Sequence, residues 1–316
     1  MNPQIEKHEN DVITIDTGYI RKGFAASHLV KEKDHGVFMD AGTTHSLDDF
    51  LKVLEQENIP PENVDYVMIT HVHLDHAGGA GAMIQKFPNA KLVVHPKGAR
   101  HMIDPTHLIQ GTIAVYGEEK MQSLYGDIIP VPEERILIAD DGMRLDFQGR
   151  PFFFDGPGHA RHHYCVFDEN NGIFFSGDNF GISYRELDNH KGPFIFPSTT
   201  PVQFEPHLMH TTLDRIMEQE PKIAYLTHFG PVTALADLAD DLRRRLDLFV
   251  DLAETLRSRE ESRLNDLEVG IRRLLLLELN GHECHLKLEE IDSILQYDYA
   301  LNAQGIDTWL KRSSKK

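Results

Sequence analysis

The segment HVHLDH at residues 71–76 places four potential metal ligands within six residues, and it constrains the chain more than any other feature. It follows a hydrophobic stretch, VDYVMIT at 64–70, that is typical of a buried strand. Side chains at the end of a strand are held rigidly while the following loop turns them inward. Neutral imidazole and carboxylate groups are ligands that suit zinc, and also iron or manganese.

The spacing inside this segment predicts how its ligands are shared. His71 and His73 are two residues apart, so in extended backbone they face the same side and can chelate one cation. Asp75 and His76 follow the turn and are expected to reach a second cation beside the first. The glycine pair at 78–79 is expected to let the backbone pass close to the metal site.

Three further candidate ligands, His159, Asp178 and His228, each follow a separate predicted strand. Those strands are Phe152–Phe154, Ile173–Ser176 and Ile223–Leu226. All seven candidates therefore lie just beyond the carboxyl ends of strands, where α/β folds place their active sites. The sequence predicts a site with two metal ions at this edge.

The periodicity of the apolar residues changes near residue 230. Before it, short strands alternate with turns and helices, which predicts an α/β body over residues 1–230. After it, leucines recur at steps of three and four from Leu235 to Leu256, and again from Leu264 to Leu279, as in amphipathic helices. Residues 231–316 are thus predicted to form a C-terminal α-helical extension.

Charge and cysteine content restrict the partners and the compartment. With 32 basic and 50 acidic residues the net charge is −18, which disfavours nucleic acids and anionic membrane surfaces as partners. No apolar run is long enough to span a membrane, and the polar N-terminus does not resemble a secretory signal. Two cysteines without a CxxC motif fit reduced thiols, so we expect a cytoplasmic protein.

The HxHxDH motif, followed by a distant His, Asp and His in that order, resembles the signature of the metallo-β-lactamase superfamily over residues 12–230. The resemblance implies a four-layer αββα sandwich. It also implies that His71, His73 and His159 bind one metal ion. Asp75, His76 and His228 would bind a second, and Asp178 would bridge the two.

Two neighbouring cations can share a water molecule, lower its pKa towards about 7 and polarise a substrate carbonyl group. We therefore expect a hydrolase that uses a metal-bridging hydroxide on a small-molecule ester, lactone or thioester. Asp75 would hold the nucleophile and later pass a proton to the leaving group. Two Zn²⁺ ions are the expected cofactors, and iron or manganese would satisfy the same ligands.

Candidate substrate contacts lie near the predicted ligands. His163 follows His159 by four residues, and either it or His162 could contact substrate while the other orients a ligand. Tyr184 lies six residues after Asp178, on a loop expected to overhang the site, where a phenol could donate to a carbonyl oxygen. Tyr19 is a weaker candidate of the same kind.

Other functions remain open from the sequence. Persulfide dioxygenases of the superfamily keep HxHxDH but use one iron ion, so an oxidoreductase is one alternative. A site that binds metal without catalysis is another. The helical extension resembles that of the hydroxyacylglutathione hydrolases and of bacterial hydrolases without an assigned substrate. It could equally form a lid or the interface of a homodimer.

Overall fold

The computed structural model describes residues 2–147, 150–200 and 203–314. Within these ranges the strands are β1 Ile5–Lys7, β2 Val12–Asp16, β3 Ala26–Glu32, β4 His35–Met39, β5 Val64–Met68, β6 Lys91–Val94, β7 Ile136–Ile138, β8 Arg144–Phe147, β9 Arg150–Asp155, β10 Tyr164–Asp168, β11 Ile173–Gly177, β12 Ile223–Leu226 and β13 Gly230–Val232. The helices are α1 Leu47–Gln56, α2 Leu74–Ala77, α3 Ala80–Lys86, α4 Ala99–Ile103, α5 Thr106–Tyr116, α6 Glu118–Tyr125, α7 Pro206–Glu218, α8 Leu235–Leu256, α9 Arg263–Gly281 and α10 Leu288–Ser313.

The chain forms two compact units. The strand unit comprises residues up to 155, 162–177 and 223–231. The helical unit comprises residues 156–161, 178–222 and the chain from 232 onward. The predicted division into domains at residue 230 remains a prediction, because a compact unit inside a fold is not by itself an independent domain.

Two sheets build the strand unit. Strands β1–β7 pair in sequence order, antiparallel from β1 to β4 and parallel from β4 to β7. The second sheet has the order β13-β12-β11-β10-β9-β8, with β8 to β11 antiparallel and β12 parallel to β11. Strands β9, β11 and β12 therefore run in the same direction, and their carboxyl ends share one edge.

Successive residues of a strand point to opposite faces of the sheet, and here they pack in two different hydrophobic cores. In β2, Ile13 and Ile15 pack in a core with α1 and α3, whereas Val12 packs in a core shared by both sheets. In β4, Phe38 belongs to the first core, and its neighbours Val37 and Met39 belong to the second. The first sheet is thus covered on both faces, and this explains why its strands read as continuous apolar runs instead of alternating ones.

The helical unit contains α7 to α10, and its apolar stripes follow the predicted periodicity with one difference. Leu238, Leu242 and Leu246 of α8 are buried. In α9 the buried stripe advances in steps of four, through Leu267, Ile271, Leu275 and Leu279. Leu264, predicted on this stripe, is 44% exposed, and it lies at the second position of the helix.

The four strands predicted before the candidate ligands appear at the expected places, and Ile223–Leu226 is matched end to end. The sequence analysis did not predict the short strands β1, β7, β8 and β13, nor helix α7. In the described part of the chain, every helix is too short or too polar to cross a lipid bilayer.

One buried histidine of the strand unit makes the fold sensitive to acid. His28 donates through Nε2 to the Leu226 carbonyl at 3.1 Å, and burial lowers the pKa of the imidazole to about 4. Because the pKa of His28 in the folded protein lies below the ordinary value of 6.5, protonation of this imidazole favours the unfolded state. The contribution of neutral His28 to the free energy of unfolding is therefore complete above pH 6.5 and is lost as the pH falls towards 4.

We therefore expect the wild-type protein to lose about 2 kcal/mol more unfolding free energy between pH 7 and pH 5 than the His28→Gln variant does. Urea unfolding at the two pH values measures this difference. His107→Gln, which changes an exposed histidine, should match the wild type. Equal pH dependence in the wild type and His28→Gln would contradict the prediction.

Candidate metal centre

The HVHLDH segment spans the turn between β5 and α2. His71 and His73 precede α2, and His71 Nε2 lies 2.8 Å from His73 Nδ1. His71 is fully buried, and its Nδ1 lies 3.2 Å from the Thr70 hydroxyl. The two nitrogen atoms are thus close enough to bind one cation, and their sharing of a cation stays a prediction.

Asp75, His76 and His228 form a second group of potential ligands within the strand unit. One ligand atom from each lies within 4.8 Å of the others. Asp75 Oδ2 is 3.7 Å from His76 Nε2 and 3.4 Å from His228 Nε2. Two imidazoles and a carboxylate at these separations are a donor set suited to a divalent transition metal.

Hydrogen bonds on the far side of each imidazole orient this group. His76 Nδ1 lies 2.7 Å from Asp40 Oδ2, and His228 Nδ1 lies 2.8 Å from the Phe24 carbonyl oxygen. Carbonyl and carboxylate oxygens only accept, so each Nδ1 carries the hydrogen and each Nε2 presents a lone pair towards Asp75. This arrangement is the usual support for histidines that bind metals.

Asp40 supports the candidate ligand His76, and the sequence analysis missed it. It is buried directly after β4 and accepts four hydrogen bonds, from the Thr70 amide (2.7 Å), the Thr70 hydroxyl (2.9 Å), the Thr227 hydroxyl (2.7 Å) and His76 Nδ1 (2.7 Å). A signal was present, because an acid follows the apolar run VFM just as the predicted ligands follow theirs. Asp40 thereby fixes His76 from behind and joins the ends of β4, β5 and β12.

The glycine pair at 78–79 packs closely against neighbouring backbone. A Cβ atom on Gly79 would lie 2.4 Å from the Ala41 carbonyl oxygen and 2.7 Å from that of Thr43. The Gly79 amide donates to the Gly42 carbonyl at 3.0 Å. Gly79 thus admits the 41–43 loop, whereas a Cβ atom on Gly78 would lie 2.4 Å from the Leu74 carbonyl oxygen. The expectation that the pair also lets the backbone pass close to a metal site stays a prediction.

His159 and Asp178, the ligands predicted at the ends of β9 and β11, both belong to the helical unit. His159 Nε2 lies 3.4 Å from Asp178 Oδ2. His159 Nδ1 donates to the Ser198 carbonyl at 3.0 Å, and the Ser198 hydroxyl donates to Asp178 Oδ2 at 3.0 Å. As in His76 and His228, Nδ1 of His159 therefore carries the hydrogen and Nε2 keeps its lone pair, which lies 3.3 Å from the Thr200 hydroxyl.

The predicted substrate contacts are buried. His163 is fully buried and stacks on His71 with 4.9 Å between ring centroids, which fits a residue that orients a ligand. Tyr184 is also fully buried, and its hydroxyl donates to Asp298 Oδ1 at 3.2 Å in the helical unit. This geometry favours packing for Tyr184, and its contact with substrate remains a prediction.

Phenolic groups lie within electrostatic reach of Asp75. The Tyr19 and Tyr125 hydroxyls are 2.7 Å apart, and burial together with the Asp75 charge raises the pKa of both. The same two causes raise the pKa of Tyr116. All three phenols stay neutral hydrogen-bond donors at physiological pH. Tyr19 was a weak candidate from sequence, whereas Tyr116 and Tyr125 carried no signal because their helices lie far from any motif.

Comparison with known proteins places these features in a family. The sequence profile of the metallo-beta-lactamase superfamily matches residues 20–244. The chain is 25% identical to the metallo-beta-lactamase fold-containing protein ST1585 of Sulfurisphaera tokodaii over 202 residues, which cover 62% of this chain and 69% of that protein. The crystal structure of ST1585 superposes with a TM-score of 0.65 at 20% identity, over 94% of this chain and 98% of that one.

Two further relatives differ in chemistry. A hydroxyacylglutathione hydrolase of Aeromonas salmonicida is 24% identical over 151 residues, which are 48% of this chain and 44% of that protein. A peroxy diiron form of the chemotaxis sensor ODP superposes with a TM-score of 0.53 at 13% identity, over 77% of this chain and 94% of that one. These likenesses confirm the predicted αββα sandwich with C-terminal helices. The chain belongs to the metallo-beta-lactamase superfamily.

Proposed function

We propose that this protein is a dinuclear metal-dependent hydrolase acting on a small-molecule ester, lactone or thioester. The observation that carries the proposal is the group of Asp75, His76 and His228, in which both imidazoles are held with Nε2 towards the carboxylate. Such preorganisation is expected of metal ligands. Histidines that only fill the core would not need to direct their Nε2 atoms towards the same carboxylate.

The remaining ligands are assigned from the motif order of the superfamily. We propose that one cation is held by His71, His73 and His159, and the other by Asp75, His76 and His228. Asp178 would contact both. When bound, the two cations supply Lewis acidity and lower the pKa of a coordinated water. Zinc is our first choice of metal, since imidazole and carboxylate ligands satisfy it without redox chemistry.

Asp75 has the exposure that a proton carrier needs. Its side chain is 20% exposed, whereas the side chains of His76 and His228 are 0% and 5% exposed. Of these three groups, Asp75 is therefore the one that a substrate can reach. We propose that it orients the attacking water through its carboxylate and returns the proton to the leaving group.

The hydrogen-bonded Tyr19–Tyr125 pair lies within the electrostatic influence of Asp75. One of the two hydroxyls donates its hydrogen to the other, and the hydrogen of the second hydroxyl remains for another acceptor. Because both phenols stay neutral, this hydrogen can be donated to a carbonyl or leaving-group oxygen without adding charge beside Asp75. We propose that the pair positions substrate.

Elemental analysis of the purified protein, combined with hydrolysis assays, tests the proposal. We expect two zinc ions per chain and hydrolysis of at least one of a thioester, an aryl ester or a γ-lactone. Dialysis against a chelator should abolish hydrolysis, and added Zn²⁺ should restore it. His210→Ala, which changes a partly exposed histidine outside the ligand set, should keep both metal and activity.

One iron ion per chain, together with oxygen consumption in the presence of a persulfide, would replace the hydrolase by a dioxygenase. This is the second candidate, because persulfide dioxygenases of the superfamily keep the HxHxDH motif that the chain carries at residues 71–76. A full complement of metal with no turnover of any ester, lactone, thioester or persulfide would instead favour a protein that binds metal without catalysis.

A further inference from the structure

A cavity of about 340 Å³ lies in the helical unit, and none of its lining residues is among the seven proposed metal ligands. It is lined by Arg161, Gln203, Glu205, Trp309, Arg312 and Ser313. Its volume is at the lower end of the range for small-molecule sites, so a ligand of one or two rings fills it.

Two arginines at this cavity meet one carboxylate oxygen. Arg312 Nη2 lies 2.9 Å from Glu205 Oε1, and Arg161 Nη2 lies 3.4 Å from the same atom. The described lining residues therefore carry two guanidinium groups and one carboxylate, an excess of positive charge in a chain whose total is −18. The Arg161 side chain is 54% exposed and can turn towards a ligand.

The aromatic wall of the cavity is held in place. Trp309 and Arg312 are three residues apart on α10, so they lie on the same face of the helix. The Trp309 ring meets the buried Phe204 ring edge-on, with 6.3 Å between centroids. Arg312 Nη2 also donates to the Phe204 carbonyl at 2.6 Å. The Trp309 indole and the Arg312 guanidinium group therefore line the same side of the cavity.

From this geometry we infer that the cavity binds a small planar organic anion, in which a ring stacks on Trp309 and a carboxylate pairs with Arg161. Guanidinium groups match the fork of a carboxylate, and a flat indole favours a flat partner. The site is separate from the proposed hydrolysis, because its ligand contacts none of the groups assigned to that reaction.

Trp309 makes the test direct, since it is the single tryptophan of the chain. Its fluorescence, excited at about 295 nm to avoid the tyrosines, reports on this cavity alone. Titration of the full-length, metal-loaded protein with benzoate should change the emission saturably. Benzamide, which keeps the ring without the charge, should bind about tenfold more weakly, and inorganic phosphate, which lacks the ring, should do the same.

Arg161→Gln should raise the Kd for benzoate about tenfold while the metal content stays unchanged. Arg259→Gln, which removes an arginine that is 62% exposed and paired with Asp266, should leave the Kd unchanged. A Kd unaffected by Arg161→Gln, or no saturable change with benzoate, would overturn the inference. Equal affinity for phosphate and benzoate would overturn the assigned ligand class. None of these readouts depends on hydrolysis, so failure here leaves the proposed function untouched.

Discussion

Replacement of Asp75 by alanine is expected to lower kcat by about 10²–10⁴-fold, or below detection, while the far-UV circular dichroism spectrum stays like that of the wild type. The fold should persist because the Asp75 side chain is partly exposed and belongs to neither of the two strand-unit cores. Activity should fail because we propose that Asp75 is both a ligand and the accessible proton carrier. His71→Ala should fail in the same way through loss of a ligand.

The control for this prediction is Asp214→Ala. Asp214 is 64% exposed and pairs with Arg243 on the surface of the helical unit. Surface pairs of this kind contribute about 0–1 kcal/mol, so the variant should match the wild type in activity and metal content. Near-normal turnover by Asp75→Ala or His71→Ala would rule out the proposed mechanism, whatever the substrate.

Asp40→Asn is expected to weaken metal binding by about 10–100-fold without removing any ligand. Four donors converge on the Asp40 carboxylate, and an amide of the same size accepts through one oxygen only. The amide nitrogen would then face a donor and leave it unsatisfied, at about 1–3 kcal/mol per buried group. His76 would lose the bond that fixes its tautomer and the direction of Nε2.

Competition with a chromogenic chelator measures the metal affinity, and urea unfolding measures the stability. Asp168→Asn is the matched control, since Asp168 is also a buried aspartate of the strand unit and accepts from the Asn170 amide and the Asn171 side chain. It should lose stability and keep its metal affinity. If the two variants lose metal affinity equally, Asp40 acts through the stability of the fold and has no positioning role.

The candidate metal ligands could be picked out from sequence because they follow apolar runs that only buried strands explain. A strand that ends at His71 or His228 holds its last side chains at a fixed place on the sheet edge. The supporting residues were harder to predict. Asp40 carries the same local signal as a ligand, and only the position of β4 next to β5 shows that its carboxylate supports His76.

Residues brought to the site by packing had no local pattern at all. Tyr125 ends a helix of low amphipathicity, and its partner Tyr19 is 106 residues away in the chain, so their hydroxyl contact depends on the folded structure. Tyr184 lies close to Asp178 in sequence, which suggested contact with substrate, and only the folded structure shows that its hydroxyl donates to Asp298.

The amino-acid sequence by itself determined the family, the order of the ligands and the change from strands to helices near residue 230. Periodicity and strand ends are local properties, which a chain displays before it folds. Only the tertiary structure decided which groups support those ligands, why Gly79 has no side chain and where two arginines and the single tryptophan line a cavity. Each of these depends on contacts between segments distant in the chain, and such contacts leave no periodic trace in the sequence.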